Sequence, residues 1–163
     1  MAVDMFLELP APIKGETVDK TYKSKNAIDV LAWSWGMSNS GTFHQGSGGG
    51  SGKANVQDIS VTKYVDKASA ELMNACLTGA HLANATLTVR KAGGTPLEYI
   101  QITMTEVLIT SVTTGGSGGE DRLTENVSLN FAKVKFVYKM QNEKGGQEVG
   151  GQVSYDIAAN TKE

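Results

Sequence analysis

Residues Gly46 to Lys53 read Gly-Ser-Gly-Gly-Gly-Ser-Gly-Lys, and glycine-rich loops that end in Gly-Lys can cradle phosphate groups. That chemistry needs a glycine five residues before the Gly-Lys pair, and position 47 is serine. It also needs Ser or Thr after the lysine to hold magnesium, and Ala54 follows instead. The flanking segments both read as strands, whereas a phosphate loop joins a strand to a helix. A flexible surface loop built from Gly46, Ser47, Gly48, Gly49, Gly50, Ser51, Gly52 and Lys53 is the reading that survives.

The remaining reactive side chains do not form a constellation. His44 and His81 are the only histidines, and with one distant cysteine they give no metal-ligand spacing. A Cys76–His nucleophile pair stays open, because such partners meet in space. Cys76 nevertheless falls on the apolar stripe of a helix, where packing is the ordinary role. Glu120 and Asp121 are adjacent carboxylates, but strand neighbours point to opposite faces, so they read as solvated, with Arg122 neutralising one of them. Lys133, Lys135 and Lys139 share a face, as expected of an exposed or edge strand. Trp33 and Trp35 could stack on a sugar, yet their alternation with small residues argues for burial in a core or an interface. These patterns call for no cofactor, no metal and no catalytic residue.

Elements that must position these side chains follow from periodicity. Met5 to Leu9 is a short apolar start closed by Pro10 and Pro12. Ile28 to Ser38 reads as one long strand, with Leu31, Trp33, Trp35 and Met37 facing the core and Ala32, Ser34 and Gly36 opposite. Further strands are expected over Val56–Tyr64, Thr86–Arg90, Glu98–Val112, Leu123–Tyr138 and Val153–Ile157. In Glu98–Val112, Ile100, Ile102, Met104 and Leu108 share a face, with Val107 and Ile109 on the other. In Leu123–Tyr138 the apolar set shifts after Phe131 to Val134 and Phe136, which means a bulge or a change of neighbour. One helix is expected after Asp66, its apolar stripe Ala68, Leu72, Ala75 and Cys76 ending at Gly79. The fold class is therefore mainly β, an antiparallel barrel or two packed sheets with one short lateral helix.

The chain has 163 residues, within the range of a single domain, here taken as 1–163. A domain of this size buries about two thirds of its unfolded surface and needs no cross-link to hold a core. A single cysteine forbids an intrachain disulfide, which suits a reducing compartment. The net charge of −2 offers no basic face for nucleic acid. No apolar run reaches the roughly 20 residues of a membrane helix, and the start lacks the pattern of a secretory signal. If the protein leaves the cell, a dedicated machine carries it. Of 19 glycines, most lie in patches at 46–52, 93–94, 115–119 and 145–151, which reads as punctuation between ordered segments.

Asp29 to Ser38 resembles the second strand of the hemolysin-coregulated proteins, and Asn55 to Tyr64 is similar to their next strand. Leu72 to Cys76 resembles the middle of that family's helix. Gly115 to Val127 is close to a family signature, and Met1 to Phe6 fits its typical opening. Together these segments span residues 1 to about 138; Lys14–Ala27 and the tail from Asn142 fit less well. The resemblance implies a non-enzymatic barrel, cytoplasmic before assembly and then secreted through the type VI system without a signal peptide. It implies that six copies close into rings, that rings stack into a tube, and that a contractile sheath drives the tube. The implied partners are further copies of itself, that sheath, a spike protein of the valine–glycine repeat family and small effector proteins carried in the ring; no nucleic acid or membrane insertion is implied. The loop Gly46–Lys53 is then the candidate for contacts between stacked rings, and Ser34, on the small-residue face of its strand, is the candidate for the lumen wall. The rival readings are a phage-type tail-tube subunit, a carbohydrate-binding β-module using Trp33 and Trp35, and a hydrolase built around His44, His81 or Glu120.

Overall fold

The computed structural model describes residues 2–44 and 51–163, which form strands β1 (Val3–Glu8), β2 (Ile28–Ser34), β3 (Met37–Gly41), β4 (Ser51–Val56) and β5 (Ile59–Tyr64). Helix α1 (Ser69–Thr78) follows, then β6 (Leu82–Lys91), β7 (Leu97–Thr114), β8 (Thr124–Gln141), β9 (Gln147–Asp156) and β10 (Thr161–Lys162). The order β8-β5-β2-β1-β6-β7, with β7 returning to β8, closes an antiparallel barrel. β9 adds to the far half of β8, β10 adds to β9, and β3 pairs with β4 in a separate hairpin.

Closure is not uniform along the strands. β1 reaches only Ile28 and Asp29 of β2, and β6 follows β7 only as far as Val107. Beyond those points β2 pairs with β5 alone, and β7 pairs with β8 alone. Among the described residues, one end of the barrel is therefore a four-stranded sheet, β2-β5-β8-β7, with an unpaired ladder edge on each side. Lys133, Lys135 and Lys139 lie on β8, which is paired on both sides, so these lysines do not mark an edge strand.

The core gathers Leu7, Ile28, Val30, Ile59, Val61, Leu87, Ile102, Met104, Val107, Ile109, Val127, Leu129 and Phe131. The expected strand Ile28–Ser38 divides at Trp35–Gly36, and its face assignment holds only in part. The register with β5 shifts between Val30 and Ala32. That extra residue resets which side chains point inward. Ile28 and Val30 are buried before it, Trp33 and Trp35 pack against the core after it, and Leu31 is 40% exposed. Met37, 57% exposed, belongs to the hairpin and not to the barrel wall. Leu108 likewise leaves the face expected for it, since Val107 and Ile109 are the buried pair at that end of β7.

The helix begins later than its carboxylate cap, yet Asp66 still accepts the Ala68 N–H at 2.9 Å. Gly79 ends it at φ +64°, ψ +34°, a left-handed geometry that glycine adopts without a Cβ clash. Ala68, Leu72 and Ala75 are buried, and Cys76 packs against the core cluster. Beneath the helix start lies a charge cluster that periodicity does not reveal. Lys63 and Glu125 sit opposite each other on β5 and β8, their side chains are fully buried, and they form an ion pair. Asp66 Oδ1 lies 2.9 Å from Lys63 Nζ. The Ser69 hydroxyl donates to Glu125 Oε1 at 2.6 Å and accepts the Asp66 N–H at 3.0 Å.

A second cluster covers the outer face of β1 and β6. Phe6 and Tyr22 stack at 4.1 Å, and the Arg90 guanidinium lies 5.0 Å from the Phe6 ring. Arg90 pairs with Asp19 and, at 3.0 Å, with Asp4, which ties residues 19–22 to the sheet. The hydrogen bond from Arg90 holds the Asp19 carboxyl below its ordinary range. Burial, and then the bond to Glu98, push the Tyr22 phenol well above its own.

Removing one member of the buried pair leaves the other charge uncompensated. Glu125→Ala is expected to lower stability by roughly 3–5 kcal/mol in chemical denaturation at fixed protein concentration. The double variant Lys63→Met/Glu125→Met should lose much less. Equal losses in both would show that the cost lies in packing rather than in the stranded charge.

Candidate functional site

The register of the four-stranded sheet builds a surface from residues distant in sequence. Ser34 pairs with Ser60, Ser60 with Ser128, and Ser128 with Ser111. The next row runs Ala32, Thr62, Asn126, Thr113. Each of these strands sends its apolar alternates inward, as with Ile59, Val61, Val127 and Leu129, so the outward alternates share one face. That face carries hydroxyls and amides and, across these two rows, no charge. The Ser60 and Ser128 hydroxyls lie 3.2 Å apart, and the Thr62 hydroxyl donates to Asn126 Oδ1 at 2.7 Å. At its margin the Asp58 carboxylate accepts from the Thr110 hydroxyl at 2.7 Å and from the Asn130 amide at 2.8 Å.

The β3–β4 hairpin leaves the barrel through a pinned joint. The Trp35 indole donates to the Gln57 carbonyl at 3.0 Å, and the Gln57 N–H donates to the Gly36 carbonyl at 2.9 Å. Trp35 also meets Phe131 edge to face, with centroids 6.3 Å apart. Between the hairpin and the β8–β9 sheet runs an apolar groove of about 280 Å³. Trp35, Met37, Val56, Val134, Val153 and Tyr155 line it.

Of the residues singled out from sequence, Ser34 is exposed and lies in the first row of the neutral face. Gly46, Ser47, Gly48, Gly49 and Gly50 lie outside the described residues; Ser51, Gly52 and Lys53 belong to β4 and are strand, not loop. His44 and His81 are exposed and sit on separate elements, before β4 and before β6. Glu120 and Asp121 are exposed in the β7–β8 connection, and Arg122 lies 3.8 Å over the Tyr64 ring instead of pairing with either carboxylate. Among the described residues no group of three His, Cys, Asp or Glu is placed to hold a metal. No helix there is long and apolar enough to cross a membrane. Periodicity reading marked Ser34 alone and missed Ser60, Ser111 and Ser128. The usable signal was the run of Ser, Thr and Asn at the outward alternates of successive strands.

A family model described as type VI secretion system effector, Hcp, matches residues 6–138. Protein hcp1 of Pseudomonas aeruginosa is 58% identical over 156 residues, which cover 95% of this chain and 94% of that protein. A solved type six secretion system protein superposes with a TM-score of 0.90 at 28% identity, over 99% of this chain and 100% of the other. Hcp1 from Salmonella typhimurium gives a TM-score of 0.79 at 36% identity over 100% of both chains.

Trp35 holds the hairpin joint and contacts the core, so its loss is expected to register as stability. Trp35→Ala should cost about 2–4 kcal/mol in chemical denaturation, at or below the range for a buried aromatic. A fully stable variant that loses binding on a glycan array would instead support the carbohydrate reading.

Proposed function

The chain belongs to the Hcp family of type VI secretion, a family of secreted structural tube proteins, and from that premise we propose that it is the ring subunit of the inner tube. Six copies close into a ring, acting as one domain over residues 1–163. Rings stack into a tube inside a contractile sheath, behind a spike protein of the valine–glycine repeat family. Small effector proteins ride in the ring, and the assembled tube leaves the cytoplasm through the type VI system.

The observation that carries this reading is the four-stranded sheet with two unpaired edges and a neutral outer face. The edge of β2 and the edge of β7 lie on opposite sides of one sheet, so each copy offers a different edge to each neighbour. Contacts of that head-to-tail kind form a closed ring when the rotation closes. Strand addition also covers backbone groups that would otherwise invite unspecific pairing. The rows containing Ser34, Ser60, Ser128 and Ser111 then line the lumen. Neutral hydroxyls hold cargo through short-range hydrogen bonds that water can replace, which suits carriage followed by release. The segment Gly46–Lys53, whose last three residues belong to β4, is assigned to contacts between rings.

Native mass spectrometry is expected to show six chains per particle with no added metal or cofactor. A stable monomer at micromolar concentration would sink the reading. Ser34→Gln should leave the ring intact and reduce effector co-purification, because the side chain is exposed and no core packing is lost. Loss of the ring in that variant would place Ser34 at a subunit interface.

A further inference from the structure

Once the ring has used the edges of β2 and β7, other strand edges among the described residues stay open, and the outer edges of β4 and β9 are two of them. We propose that β4 of one copy adds as a strand to the outer edge of β9 of a copy in the adjoining ring. This inference rests on the ring reading, since that reading occupies the edges of β2 and β7.

The hairpin supplies the first argument. A two-stranded hairpin is marginal in water without a third strand or a covered face. β3 is exposed along its whole length, and across the pairs Met37↔Val56 and Asn39↔Ala54 the hairpin faces an open groove. The second argument is β9. Its inner side pairs with β8 from Gln147 to Asp156, but β10 reaches only Tyr155 and Asp156 on the outer side. The Glu163 N–H adds a bond to the Ser154 carbonyl at 3.0 Å. Among the described residues the outer ladder from Gln147 to Val153 is therefore open; it contains neither lysine nor proline, and its guards are the single charge of Glu148 and a register shift. The extra residue at its register shift is Gly150, where a Cβ would lie 2.8 Å from the Tyr138 ring.

Charge supplies the third argument and points to a second copy. Lys53 is exposed on β4 and Glu148 is exposed on β9, and among the described residues neither has an ion-pair partner. β4 spans six residues, close to the open stretch of β9. Complementary edges of matching length on one chain satisfy each other in every copy through a single repeated contact. Cross-strand charges of opposite sign support such a ladder, and like charges oppose it.

The test is a charge exchange in the full chain. Lys53→Glu and Glu148→Lys are expected to leave six-chain rings intact by native mass spectrometry. Each should raise the protein concentration needed for tubes, seen by electron microscopy, by roughly two- to five-fold per contact, compounded around the ring. The double variant Lys53→Glu/Glu148→Lys should recover tube formation. Tubes at the parent concentration in both single variants, or a double variant no better than the singles, would overturn the pairing while leaving the ring reading intact. Loss of the six-chain ring in a single variant would overturn the assignment to stacked rings. A parent chain that forms no ring overturns the ring reading and this pairing with it.

Discussion

The long antiparallel pairing of β7 with β8 is the constraint on which the other contacts hang. It runs from Ile100↔Tyr138 to Thr114↔Glu125. On its other side β8 pairs first with β5, up to Leu129, and then with β9, from Lys133. At that change of neighbour the inward set switches in three strands together. Leu82, Val107 and Phe131 are buried on one side of the switch, and Ala85, Met104 and Val134 on the other. The β7–β8 ladder keeps its register through this point, so the switch is a concerted turn of neighbouring strands and not a bulge in one. Glu106 lies at the switch with φ +54°. A left-handed non-glycine residue costs roughly 1–2 kcal/mol, which the surrounding ladders must offset.

The buried pair Lys63–Glu125 closes the barrel beneath α1 at some risk. Desolvating two charges costs several kcal/mol each, and apolar residues of similar shape often serve stability as well or better. Here the cluster also has a geometric task. Ser69 and Asp66 belong to the turn that starts the helix, and both engage Lys63 or Glu125 directly. The charges therefore fix where α1 begins relative to β5 and β8, while Leu72 supplies the apolar contact. Among the described residues Glu125 Oε2 has no hydrogen-bond partner, and the contacts the cluster does make are those that position the helix start.

Much of the fold was legible because burial imposes a period. The inward positions Ile59 and Val61 and the helical stripe at Ala68, Leu72 and Ala75 follow that period; Leu87 and Val89 are buried as their alternation predicts, but Thr88 and Arg90 between and beside them are buried too. What could not be read depended on partners remote in sequence. The extra residue at Leu31 is visible only as a register shift against β5, so the face of Leu31 came out wrong. β9 runs through Gly150 and Gly151, residues that local propensity reads as a connection; pairing with β8 overrides that preference. Lys63 shares the parity of Ile59 and Val61 and is buried with them, but the carboxylate that compensates it, Glu125, comes from a strand remote in sequence. For the candidate site, Ser34 was accessible to sequence reasoning, but the row it belongs to exists only through three successive pairings.

The same pairings explain how the proposed assembly can be both specific and permissive. Strand addition at an edge uses backbone groups, so its direction and register are set without help from the faces of the sheet. The outward side chains of β2, β5, β8 and β7 are then free of any duty in joining subunits. They need only stay small enough not to block the lumen and polar enough to remain hydrated. Charge on that face would add a long-range field repeated around the ring, attracting or excluding cargo by its net sign and varying with salt. Hydroxyls and amides act over a single contact distance, so they favour cargo by fit. A neutral wall therefore suits the proposed carrier role, and in the proposed ring the edge-borne contacts leave that wall free for it.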